Sequence, residues 1–212
     1  MVDTPQLTRF KDNIAYAREM VGAGHSFDQD READIYRAAW IQSVAALDHW
    51  VHEELYQRAT RIAMNTQAER SNRFKNFEIP WHRVEEINNA NRPLREVFRE
   101  ALEDKYGHES FQSTQRIGTA LSLVAGQVSV SVLWKWTARR LSEGGGYPGI
   151  DSKAMIDRHD GVVIRRRNQI SHTSDIDPVT HARRPISSGE TQETIRWVES
   201  FVGAIDGTLS GA

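Results

Sequence analysis

The 212-residue chain contains no cysteine. That excludes disulfides, zinc–thiolate sites and thiol nucleophiles together. Net charge is also scarce. Its 27 Lys and Arg face 29 Asp and Glu, a formal charge of −2, so it is no basic nucleic-acid coat and any nucleic-acid site must be a local patch. Long apolar runs are missing too. No stretch approaches the ~20 residues that span a bilayer, and the opening MVDTPQLTRFKDN lacks the basic-then-apolar pattern of a signal peptide. The expectation is a cytoplasmic protein with no membrane partner. What is present builds a core: 39% of the residues are hydrophobic and six are Trp, in a length that suits a single domain.

Period 3.6 dominates the hydrophobic pattern and implies an all-α fold, a helical bundle with additional short helices. Leu7, Phe10, Ile14 and Ala17 share one stripe of a first helix ending near Gly22. The longest helix runs from about Asp30 to Arg61, with Ser26 and Gln29 as a candidate capping box. Pro80 and Pro93 fit helix starts, PWHRVEEINNAN reads as a short helix, and Gly107 closes PLREVFREALEDKYG. A further helix is expected from Ser113 to Gly126. VSVSVLWKW is ambiguous; its β-branched residues suggest a strand, yet no partner strand exists, so it reads as a connector entering a helix to Leu141. SEGGGYPG is a loop without the Gly-Lys-Ser/Thr ending of a P-loop. Asp151 caps a helix through about residue 172, SDIDPVTHARRP is a loop, and Ser187 with Glu190 forms a second capping box opening the last helix, to about Asp206.

Chemistry concentrates in VVIRRRNQISHTSD, residues 162–175. Each residue turns ~100° on an α-helix. Ile156, Val163 and Ile170, seven apart, make an apolar stripe. On the opposite side Arg165, Asn168 and His172 lie within ~40° of Gly161, whose missing side chain permits close approach by another chain or a substrate. Cations near a helix C-terminus are ordinary, each stabilising by ~0.3–1 kcal/mol against the dipole. Here the excess goes further. Between residues 158 and 167 four arginines face one acid, Asp160, and repulsion among Arg165, Arg166 and Arg167 costs stability unless an anion arrives. Arginine's rigid fork matches a phosphate, and an imidazole gives or takes a proton near neutral pH. Arginine with histidine, and no metal ligands, is a kit for attacking an RNA phosphodiester with its own 2′-OH.

RNQISH resembles the Arg-Asn-x-x-x-His signature of HEPN domains, a superfamily of small helical proteins with many metal-independent endoribonucleases. AAWIQSVAALDHWVHEEL, FQSTQRIGTALSLV and VVIRRRNQISHTSDIDP follow in the order and spacing of its RiboL-PSP-HEPN branch, over about residues 30–205; residues 1–25 would be an N-terminal helix and linker. The resemblance implies a bundle of four or five core helices that pairs with a second copy, so that two motifs face one cleft. It implies RNA as substrate, no cofactor or metal, and a toxin or antiviral role, with an antitoxin or defence protein as partner. It assigns His172 as acid/base, Arg167 as phosphate clamp and Asn168 as positioner, with Arg165 and Arg166 as substrate contacts. The wheel is at odds with one of these. Arg167 sits ~140° from His172, near the apolar stripe, whereas Arg165 shares its face. Either the helix ends before His172 or Arg167 reaches around its flank.

Asp48 lies beside the apolar stripe of the long helix (Ile41, Val44, Leu47, Val51, Leu55) and needs a partner. It is either a boundary residue satisfied by a neighbour or, as the resemblance suggests, an anion orienting an arginine or His172. His49 and His52, with Glu53, have i, i+3 metal-ligand spacing but no second ligand pair, and read as exposed-face histidines. Trp134 and Trp136 are core, or cover a dimer surface or stack on bases. Arg183 and Arg184 are solvated charge or substrate-backbone contacts. The rival to an enzyme is a non-catalytic helical module for dimerisation or for binding RNA, a nucleotide or a protein.

Overall fold

Helix starts are written in single side chains. Thr4, Asp28, Ser71, Ser113, Asp151 and Ser187 each accept a hydrogen bond from the backbone N–H three residues on, satisfying a donor that the first helical turn leaves free. The computed structural model describes residues 3–89, 91–144 and 146–211. Met1 and Val2 in the opening segment, Ala90 in the expected helix PWHRVEEINNAN and Gly145 in the loop SEGGGYPG lie outside the described residues.

The chain is an all-α bundle: α1 (Pro5–Gly24), α2 (Gln29–Met64), α3 (Asn72–Lys75), α4 (Trp81–Asn89), α5 (Leu94–Tyr106), α6 (Thr114–Leu121), α7 (Val130–Gly144), α8 (Ser152–Arg158), α9 (Arg165–Thr173) and α10 (Ser188–Ser210). A π-helical turn, His159–Ile164, joins α8 to α9 without a break. The β pairing among the described residues is one antiparallel bridge, Ile176 to Arg183. No described helix is long and apolar enough to cross a membrane.

Helix α2 is the axis, with α1 along it and α5, α6, α9 and α10 packed on its other sides. The expected stripes are inside. Leu7, Phe10, Ile14 and Ala17 of α1 are buried, as are Val44, Leu47, Val51 and Leu55 of α2, while Ile41 is partly covered. Trp50, Trp197 and Phe201 fill the centre, each stabilising by roughly 1.5–3 kcal/mol through removal from water. Trp134 is core and stacks on Phe201 at 5.9 Å between centroids, whereas Trp136 is exposed. Gly118 lets α6 and α7 touch: a Cβ there would stand 2.6 Å from Val130 and 3.2 Å from Trp134.

Several boundaries differ from the sequence reading for local reasons. Asp28, not Ser26, caps α2; its carboxylate takes Arg31 N–H while the Ser26 N–H closes a turn onto Ala23. Helix α6 stops at Leu121, and tight turns lead to Gly126, which adopts φ +62°. The β-branched VSVSVLWKW enters α7 already at Val130. The capping box at Ser187 and Glu190 is complete in both directions.

Candidate functional site

The helix carrying the arginine–histidine motif contains a register slip. The π-helical turn accommodates one residue more than an α-helical turn would. On its C-terminal side Val163 and Ile170 face the core, as the seven-residue stripe predicts. On its N-terminal side the buried residue is Met155, one position earlier than Ile156. Within the turn, Val163 C=O accepts from the indole N–H of Trp40 at 3.1 Å. His159, within the turn, is fully buried. Its Nε2 faces the Gln112 carbonyl at 2.7 Å and its Nδ1 accepts from the Trp197 indole at 3.3 Å. These partners fix the neutral, Nε2-protonated tautomer, and burial pushes its pKa down.

The four arginines of residues 158–167 divide into two pairs. Arg158 lies over the rings of Tyr147 and Trp197, at 4.8 and 4.7 Å, and pairs with Glu193. Arg166 donates to Asp175 Oδ2 at 2.8 Å and to the Pro185 carbonyl at 2.9 Å. Burial draws the Arg166 pKa down, and Asp175 opposes the shift. Arg165 and Arg167 have no carboxylate partner among the described residues, and Arg165 is exposed. Asp160, the one acid of the segment, does not neutralise them. Its carboxylate is spent on Thr114, accepting from the backbone N–H at 2.9 Å and the hydroxyl at 2.5 Å.

Helix α9 runs to Thr173, past His172, and Ser174 caps it at φ 50°. The helix therefore does not end before the histidine. Arg167 instead turns toward the motif face, its Nη1 donating to Asn168 Oδ1 at 3.2 Å. Arg165, Asn168 and His172 are all exposed, and within the α-helical stretch from Arg165 they share a face. No side chain among the described residues hydrogen-bonds to His172.

Behind this face is a charge cluster that the sequence reading missed. Asp175 is fully buried at φ 61°, and its Oδ2 also accepts from Arg37 Nε at 2.8 Å. Arg37 Nη2 continues to the Arg184 carbonyl at 2.7 Å. Arg184 pairs with Asp177 at 3.2 Å and Arg183 with Asp34. The two loop arginines thus tie down residues 174–187 directly after the motif. The signal for Arg37 was present: it is seven residues from Val44 and fourteen from the equally buried Val51, so a guanidinium falls in register with the core stripe and requires an acid.

Asp48 is satisfied elsewhere. Its carboxylate accepts from Phe111 N–H at 2.6 Å and from the Gln112 amide at 3.1 Å, and none of its hydrogen bonds reaches an arginine or His172. It connects to the motif helix only through the loop, since Gln112 also meets His159. His49 is exposed. His52 is turned inward, its ring nitrogens 2.9 and 3.1 Å from the carbonyls of Asp48 and Tyr106. Among the described residues no group of three His, Cys, Asp or Glu side chains could hold a metal ion.

No family model, no curated protein and no solved structure matches the chain.

The face is thus a fixed scaffold carrying four side chains. It offers two guanidiniums without carboxylates, an amide and an imidazole, on a helix held from behind by the Asp175 cluster. Beside it a cavity of about 290 Å³ is lined by Gly161, Arg165, Arg166, Gln169, Pro185 and Glu190, so one carboxylate shares it with two guanidiniums.

Proposed function

We propose that the protein is a metal-independent endoribonuclease of HEPN type, acting as a homodimer in which two α9 faces share one RNA strand. One observation carries the reading: of four clustered arginines, the two without a carboxylate partner among the described residues are those beside Asn168 and His172. An unpaired guanidinium pair next to an imidazole suits a phosphodiester, because arginine binds its oxygens bidentately.

In this mechanism one His172 removes the proton from a ribose 2′-OH. The 2′-oxygen forms a bond to phosphorus, and the bond from phosphorus to the 5′-oxygen breaks. The second His172 of the dimer protonates the departing 5′-oxygen. Arg167 neutralises the charge that builds on the phosphorane, with Asn168 holding its guanidinium in place, and Arg165 holds an adjacent phosphate of the same strand. Products end in a 2′,3′-cyclic phosphate and a 5′-hydroxyl.

Cleavage of a panel of RNAs in EDTA tests this. Wild type is expected to cut and His172→Ala to lose roughly 10²–10⁴-fold in rate, the usual contribution of a general acid–base, with its melting temperature unchanged because the side chain is exposed. Equal cutting by both proteins, or none by wild type across the panel, refutes it.

That no side chain among the described residues hydrogen-bonds to His172 supports a second reading, a non-catalytic helical module that binds RNA or a protein through the same arginines. It predicts salt-sensitive RNA binding without turnover.

A further inference from the structure

A second cationic site lies on other elements. Helix α3, the last turn of α5, the loop of residues 107–113 and α6 line a half-open cavity of about 750 Å³, within the range of small-molecule pockets. Among the described residues, none that lines it belongs to α9 or to the loop that follows it.

Its charge is unbalanced. Arg73, Lys105 and Arg116 line it with one acid, Glu109, which pairs with Arg116 at 3.2 Å. Arg73 and Lys105 have no carboxylate partner among the described residues. On the neighbouring face of α5, by contrast, Arg83 and Arg92 are shared among Glu86, Glu100 and Asp104. Arg73 is nonetheless fixed: its Nη1 donates to the Thr119 carbonyl at 2.8 Å and to Ser122 Oγ at 2.9 Å. The other half of its fork, Nε and Nη2, has no acceptor among the described residues. A guanidinium pinned by one nitrogen with the others free is prepared for an oxyanion.

An apolar wall adjoins these cations. The half-buried rings of Phe77 and Tyr106 lie 6.4 Å apart at 30°, and Lys105 Nζ stands 4.8 Å from the Phe77 ring. The Tyr106 hydroxyl has no hydrogen-bond partner among the described residues. Burial raises its pKa, and the charge of Arg73 lowers it while that of Glu109 raises it. The side chain of Gln115 on α6 adds an amide able to pair with a heterocycle edge. Solvated cations alone need neither a cavity nor an aromatic wall.

We infer that this cavity binds a free nucleoside monophosphate, its phosphate on Arg73 and Lys105 and its base against Phe77 and Tyr106. The site is independent of RNA cleavage, and a chain that cuts nothing can still show it.

Calorimetric titration of the full chain with AMP, GMP, CMP and UMP, and separately with adenosine and inorganic phosphate, tests the inference. At least one monophosphate should bind with Kd below about 1 mM, and more tightly than adenosine or phosphate. Affinity should fall with added salt. Arg73→Gln with Lys105→Gln should weaken binding by about tenfold or more at unchanged circular dichroism, and Lys105→Gln alone, an exposed change, should weaken it in the same direction. His172→Ala should bind as wild type does. Four results overturn the inference: no monophosphate binds, phosphate alone binds as well, the single and double variants bind undiminished, or His172→Ala abolishes binding.

Discussion

Arg166 and Arg167 share a peptide bond but not an environment. Arg166 points inward and, with Arg37, holds the buried carboxylate of Asp175. Arg167 turns outward and meets a neutral amide, Asn168. The difference follows from helix geometry. A step of ~100° carries a side chain from the seam between α2 and α9 to the flank, and the acid 138 residues from Arg37 in sequence is on the seam. A run of three arginines is therefore not one functional unit. Part of it braces the scaffold, and what the bracing leaves free is available for an anion.

Removing the acid of the buried cluster should have the largest effect on the fold. Asp175→Asn keeps the shape and tolerates the left-handed backbone, but leaves Arg166 without its carboxylate and Arg37 with only the exposed Asp34, 3.1 Å away. Breaking a buried pair costs about 3–5 kcal/mol. The lower end is expected, since Arg166 retains partial access to solvent. Urea unfolding should show a lower midpoint at unchanged slope. A change below about 0.5 kcal/mol would mean that the cluster does not brace the loop, and the contrast between the neighbouring arginines would collapse.

Next in size is the crossed pair Arg166→Gln and Arg167→Gln. Arg167→Gln should reduce RNA cleavage by roughly 10²-fold, about 2.7 kcal/mol of transition-state stabilisation, at constant melting temperature. Arg166→Gln should do the reverse in kind, lowering stability by about 1.5–3 kcal/mol through the lost charged hydrogen bonds and affecting cleavage only as far as the loop of residues 174–187 loosens. Equal effects of both substitutions on both readouts would erase the distinction.

What could be read in advance was local. Apolar spacing located the stripes of α1 and α2, a single capping carboxylate located the start at Asp151 and a capping box the start at Ser187, because cap and stripe are decided within one turn of the chain. At the entrance of α2 the spacing of Ser26 and Gln29 pointed to a capping box, but the cap is Asp28, two residues on, whose carboxylate takes the Arg31 N–H. The slip at His159–Ile164 was invisible, since the backbone gains a residue there without any change of residue type that marks it. Asp48 was legible as a polar residue needing a partner. That the partner is the backbone N–H of Phe111 follows only from where the chain returns 63 residues later. For the motif face, Arg165, Asn168 and His172 could be grouped by the wheel, but which arginines are held depended on acids beyond the helix, Asp175 for Arg166 and Glu193 for Arg158.

The slip makes a prediction of its own. His159 is buried neutral, with its pKa held below the ordinary histidine value. Below an unfolded value near ~6.5 the unfolded chain takes up a proton that the folded chain refuses. Stability is thus fully present above that pH and declines as pH falls through the window down to the folded value, by up to about 1.4 kcal/mol per pH unit. His159→Gln should be less stable at pH 7, where the Trp197 contact is lost, yet have a flatter dependence between pH 6.5 and 5. Parallel curves for the two proteins would show that another group sets the acid limb.

The smallest effect is expected at Arg165, and it separates the two halves of the comparison most cleanly. The side chain is exposed and has no carboxylate partner among the described residues, so Arg165→Gln should change stability by less than about 0.5 kcal/mol. If it holds a phosphate, the plot of log affinity for single-stranded RNA against log salt should become shallower by about 0.7, the share of one released counterion. Asp175→Asn, measured on the folded fraction, should leave that slope alone. A slope that responds to Asp175 and not to Arg165 would place the phosphate on the buried cluster instead, and would make the inward pair, not the outward one, the part of the arginine run that meets RNA.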